Sequence, residues 1–117
     1  MRYFNLSEFD SPDKIGSGDL MDEMFLEMLD ETRHQAGIPF KITSGYRTNQ
    51  HNALVGGSNG SSHTKGLAAD IRCKGSLERF KIITSALEVG FTRIGVSGNF
   101  IHIDSSREKI QNVIWTY

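Results

Sequence analysis

A chain of 117 residues suffices for one compact domain, expected to span residues 1–117, and falls short of two ordinary ones. Hydrophobic residues at 38% and charged residues at 23% fit a globular protein rather than a disordered one. The net charge is -1, and the 13 basic residues are scattered rather than gathered into a stripe, which argues against nucleic acid as a partner. No apolar run approaches the roughly 20 residues that cross a bilayer, so no membrane partner is expected. The opening MRYFNLSEFDSPD lacks an apolar signal core, so the product is expected to stay where it is made unless another route exports it. Cys73 stands alone and cannot form an intramolecular disulfide, which suits a reducing compartment.

In chain order, Met21, Met24, Phe25, Met28, Leu29 and Ala36 recur at spacings of three and four and predict an amphipathic helix over 20–36, closed by Gly37-Ile38-Pro39. The methionines read as core. Phe40 to Thr43 alternates like a strand, Ser44-Gly45 breaks it, and Thr48 can cap a short helix to about Leu54. The Gly/Ser-rich stretch from Val55 to Ser62 reads as a functional loop. Beyond it, Leu67, Ala69 and Ile71 share one strand face, while Ala68, Asp70 and Arg72 share the other. Ser76 is the expected N-cap of a helix with Leu77, Phe80, Ile83 and Leu87 as its buried stripe and Gly90 as its stop. Strands around 92–96 and 99–104 flank a Ser97-Gly98 turn, and Val113-Ile114-Trp115 suggests a last edge strand. Together these elements predict an α+β fold with a mainly antiparallel sheet covered by helices.

Two stretches carry candidate chemistry. Ser61-Ser62-His63-Thr64-Lys65-Gly66-Leu67-Ala68-Ala69-Asp70 supplies a histidine from a loop and a carboxylate from a strand, and Phe100-Ile101-His102-Ile103-Asp104 puts His102 and Asp104 on one face. Two imidazoles and a carboxylate suit zinc, and three protein ligands leave a fourth position for water, which zinc brings to a pKa near roughly 7. Spacing alone leaves open the plainer reading, in which a strand histidine is merely hydrogen-bonded and an aspartate near glycine makes a turn. Arg47, just after a strand end, can make paired hydrogen bonds to a carboxylate or oppose a developing oxyanion, or it is a surface arginine. Ser61 either donates to a ligand or shapes the turn before His63. His34 and His51 fall on helices, where solvent exposure explains them, and Cys73 falls on the strand face opposite Asp70.

The pattern Ser61-x-His63-x-x-Gly66-x-Ala68-x-Asp70 comes with Ser44-Gly45-Tyr46-Arg47-Thr48, Asn52, Gly56-Gly57, Gly90-Phe91 and Phe100 to Asp104. Over about residues 38–104 it closely resembles the zinc D-alanyl-D-alanine carboxypeptidase family, which includes phage endolysins and shares a fold with the hedgehog signalling domain. The resemblance implies that His63, Asp70 and His102 bind Zn2+ and that Arg47 grips a substrate carboxylate or polarises the scissile carbonyl. It implies hydrolysis of peptidoglycan peptides containing D-amino acids, by a monomer made in a bacterial cytoplasm and acting in the periplasm or cell wall once released. Many relatives place a general-base Glu or Asp three residues before the last zinc histidine, where this chain has Asn99. Asp104 is the nearest substitute, either as base or as the partner that orients His102. The alternative is a non-catalytic cell-wall-binding or virion-associated module of the same fold.

Overall fold

A computed structural model describes all of residues 1–117. Three helices, α1 (Glu23–Ala36), α2 (Asn49–Leu54) and α3 (Ser76–Val89), accompany five strands, β1 (Ile42–Ser44), β2 (Ala68–Arg72), β3 (Arg93–Val96), β4 (Phe100–Asp104) and β5 (Val113–Thr116). The strands form one sheet in the order β1-β2-β4-β3-β5, antiparallel at every pair except β3 with β5. The architecture is the α+β, mainly antiparallel one expected.

Alternation along the strands divides the sheet into two faces. Ala69, Ile71, Ile94, Ile101 and Ile103 are fully buried in the core, where they meet Phe25 and Leu29 of α1 and Ile82 and Ala86 of α3. The other face carries Asp70, His102 and Asp104. Cys73 is also in the core.

α1 and α2 each start where the sequence offers a side-chain oxygen to an orphan N–H. Asp22 Oδ2 accepts from the Phe25 amide at α1, and Thr48 Oγ1 accepts from the His51 amide at α2. α1 begins at Glu23, three residues inside the expected start at 20, because Ser17–Leu20 forms a separate 3-10 turn. Met24 points outward there, while Met21, Phe25, Leu29 and Ala36 are buried as expected.

Two expectations for α3 need correction. Its N-cap is Gly75, with Ser76 the first helical residue. Leu77, Phe80 and Leu87 are exposed, and Ile83 is only half-buried. The buried side is Ile82, Ser85 and Ala86, whose small members let α3 approach α1 closely. The segment is long enough to carry two apolar stripes, and the close helix contact selects the smaller one.

Candidate metal centre

Strand register assembles the site. Across the sheet, Ser44 of β1 pairs with Asp70 of β2, Asp70 with His102 of β4, His102 with Gly95 of β3, and Gly95 with Trp115 of β5. One row thus sets a carboxylate and an imidazole side by side on the face turned away from the core. The next row pairs Asp104 with Arg93.

His63 reaches this row from a 3-10 turn, Ser62–Lys65. Ser61 Oγ caps the turn by accepting from the His63 amide at 3.3 Å. Gly66 ends it at φ +71°, a left-handed conformation that favours glycine. A Cβ there would also lie 2.5 Å from the Leu20 carbonyl oxygen. Ser61 and Gly66 therefore shape the loop that aims His63. The Arg47 amide donates to the His63 carbonyl at 3.1 Å, tying the segment after β1 to the same loop.

The three side chains converge. His63 Nε2 lies 3.3 Å from Asp70 Oδ1, and His102 Nδ1 lies 2.8 Å from the same oxygen. All three residues are buried, and their ligand atoms lie within 4.8 Å of one another. Each imidazole's far nitrogen is already committed: His63 Nδ1 donates to the Gly45 carbonyl at 2.8 Å, and His102 Nε2 faces Asp104 Oδ2 at 2.9 Å. A carbonyl only accepts, so His63 Nδ1 carries a proton and Nε2 is the nitrogen turned toward Asp70. Metal-binding histidines are commonly anchored in this way through the second nitrogen. Two nitrogens and one oxygen, buried, anchored and convergent, fit a divalent metal of the zinc type.

The electrostatics belong to the same constellation. Burial opposes the Asp70 charge, but hydrogen bonds from His102 and His63 outweigh it and hold the carboxyl well below the usual carboxylate range. Burial likewise opposes the Asp104 charge, yet His102, the Ser106 amide and Ser62 bring its pKa down to about 2. His102, despite burial, is pushed upward by its two carboxylate neighbours, Asp104 and Asp70.

Arg47 lies beside Asp70, with Nη2 3.6 Å from Asp70 Oδ2. Its Nε donates to Ser44 Oγ at 3.1 Å and its Nη1 to Asn52 Oδ1 at 3.3 Å, so the guanidinium is fixed in place. Both Asp104 oxygens are engaged. Oδ2 meets His102, while Oδ1 accepts from the Ser106 amide at 2.8 Å and lies 3.3 Å from Arg93 Nε. Asp104 thus sits on the ring edge of His102 opposite Asp70. These residues line an open cleft of about 390 Å³ whose only carboxylates are Asp70 and Asp104. Asn99 does not line it, and neither do His34 and His51.

The cleft has four residues that sequence reasoning did not single out as functional: Arg93, Lys109, Trp115 and Tyr117. The Trp115 ring lies 5.4 Å from the His102 ring, and the Arg93 guanidinium lies 5.1 Å from Trp115. Room for the indole comes from Gly95, where a Cβ would sit 2.7 Å from Trp115 Nε1. The tendency of Val113-Ile114-Trp115 to form a strand was legible, but its parallel pairing with β3, which carries Trp115 toward His102, was not.

A sheet that offers a buried His-Asp-His group to an open cleft defines a candidate metallohydrolase site. The family model for Peptidase M15 matches residues 3–104, and the chain belongs to that family. Peptidases of this family are zinc-dependent and act on peptides. Comparison with curated proteins gave no match.

Proposed function

We propose that this chain is a zinc peptidase that hydrolyses peptidoglycan stem or cross-link peptides containing D-amino acids, with His63, Asp70 and His102 holding the metal. The observation that carries the reading is the convergence of His63 Nε2 and His102 Nδ1 on one Asp70 oxygen, with both opposite ring nitrogens anchored. Zinc, when bound there, supplies Lewis acidity and lowers the pKa of water toward about 7.

The chain's own residues do the rest. Arg47, fixed by Ser44 and Asn52, presents an always-charged guanidinium that can oppose the negative charge developing on the scissile carbonyl oxygen. Water adds its oxygen to the carbonyl carbon and the C–N bond breaks; one of the water's protons passes to the departing amine and the other stays with the new carboxyl group, which ionises to solvent. Asp104 holds His102 by its far nitrogen, and with both oxygens engaged it serves as a positioning residue rather than as the base. Action in the periplasm or cell wall follows from such a substrate, with phage-type lysis as one setting.

A second reading has specific support, since the cleft contains no unengaged carboxylate and Asn99 stands outside it. In that reading the same site binds cell-wall peptide without cutting it. Incubating the zinc-loaded protein with purified peptidoglycan and analysing the fragments by mass spectrometry separates the two. New peptide termini that are absent with His63→Ala are expected. Sedimentation with the walls without any released fragment would favour the binding module.

A further inference from the structure

Asn52, on α2, is buried and does not line the cleft, yet it holds two groups that do. Its Oδ1 accepts from Arg47 Nη1 at 3.3 Å, and its Nδ2 donates to the Ser58 carbonyl at 2.9 Å. A guanidinium only donates and a carbonyl only accepts, so these partners fix which way the amide faces. The position therefore asks for one donor and one acceptor on a short side chain. Aspartate would keep the bond to Arg47 and lose the one to Ser58, and leucine would lose both.

Asn52 grips the cleft wall a second time through its backbone. Its carbonyl accepts from the Gly57 amide at 2.8 Å, and Val55, Gly56, Gly57 and Ser58 all line the cleft. Gly57 lies so close that a Cβ there would overlap Asn52 Oδ1, the atom that holds Arg47. The circuit closes through His63. The Ser58 carbonyl also accepts from the Ser61 amide at 3.1 Å, Ser61 Oγ accepts from the His63 amide, and the Arg47 amide donates to the His63 carbonyl. Arg47 is thus tied to the His63 turn by its backbone and to the Gly56–Ser58 wall by its guanidinium. Asn52 is the one side chain that makes the second tie.

We propose that Asn52 is a positioning residue that sets the Arg47 guanidinium from the Gly56–Ser58 wall, so that the wall facing a peptide and the charge opposing its carbonyl oxygen keep one spacing. This rests on the peptidase reading and deepens it. Asn52 touches no substrate and acts through Arg47 alone. Its loss therefore weakens an interaction made in the transition state rather than in binding, and the effect falls on kcat. A misplacement of this kind costs up to about 100-fold in rate.

The test compares zinc-loaded wild type, Asn52→Leu and Asn52→Asp on a peptidoglycan peptide that the wild type cuts. Zinc affinity is titrated in parallel, and the order of the Arg47 Nε–H group is read by nuclear magnetic relaxation, its signal being identified by its absence from Arg47→Lys. In Asn52→Leu, kcat falls about 10- to 100-fold with KM little changed, and Arg47 Nε–H becomes mobile. Zinc affinity holds, because His63 keeps its bonds to the Gly45 carbonyl and the Arg47 amide. Asn52→Asp, which retains the acceptor for Arg47, recovers part of the loss. Should Asn52→Leu fail to fold, Gly57→Ala displaces the same amide from outside and carries the same expectation. An unchanged kcat, a loss confined to KM, or a fall in zinc affinity that parallels kcat overturns the proposal. If wild type cuts nothing, the peptidase reading falls and the relaxation measurement decides this one separately. Arg47 Nε–H ordered in wild type and mobile in Asn52→Leu then upholds the positioning role, and equal order in the two overturns it.

Discussion

Both ring nitrogens of His102 have carboxylate neighbours, Asp70 at Nδ1 and Asp104 at Nε2, and the indole of Trp115 lies beside the ring. The imidazole is thereby oriented before any metal arrives. Asp104→Asn keeps the shape but removes the charge behind His102, and zinc affinity is expected to fall by about 10- to 100-fold in a competition titration with a chromophoric chelator. Gly95→Ala drives a methyl group into the Trp115 indole. Its expected signature is weaker zinc binding in the same titration with a circular dichroism spectrum like that of wild type. The pairing of Asp70 with His102 was legible in outline, because period-two alternation puts each on a polar strand face. Arg93, Lys109 and Trp115 were not legible, because alternation assigns a face but not the neighbouring strand. Asp104 could be narrowed to two roles from sequence, and its contacts with His102, Ser106 and Arg93 support the proposed positioning role.

Among the elements, α3 shows where pattern reading fails. Leu77, Phe80 and Leu87 make a good helical stripe, yet the helix turns Ile82, Ser85 and Ala86 inward because α1 lies against it. Ile82→Ala is accordingly expected to cost about 2–4 kcal/mol in urea denaturation, while Phe80→Ala changes stability by about 0.5 kcal/mol or less. The reverse ranking would show that α3 is rotated. A second element, the N-terminal segment, is fastened to α1 by Asp30, whose carboxylate accepts from the Arg2 and Tyr3 amides and from Arg2 Nε. Burial opposes the Asp30 charge, but these donors outweigh it and its pKa is lowered. A carboxyl depressed on folding contributes its stability above its unfolded pKa of about 3.9 and loses it as pH falls through the lower folded value. Wild type should therefore lose stability on that acid limb more steeply than Asp30→Asn, as measured by the denaturation midpoint at successive pH values.

For the molecule as a whole, the sheet is closed over its core by α1 and α3, and the His63, Asp70 and His102 group lies on the opposite face with its own hydrogen bonds. Folding and metal binding are thus coupled but not identical. Chelation is expected to leave a cooperative thermal transition, and added zinc to raise its midpoint as ligand binding to the native state requires. The α+β class and the antiparallel pairs were legible because strand periodicity and turn residues are local signals, whereas the parallel β5 depends on a contact made only after the chain returns to β3. The central claim is that strand register, which pairs Asp70 with His102, and the Ser62–Lys65 turn, which brings His63 to them, build one zinc site. Equilibrium zinc binding to wild type and Asp70→Asn tests it most directly. One ion per chain in wild type, with affinity reduced at least about 100-fold in the variant, is predicted. Equal affinity and stoichiometry in the two proteins would contradict it.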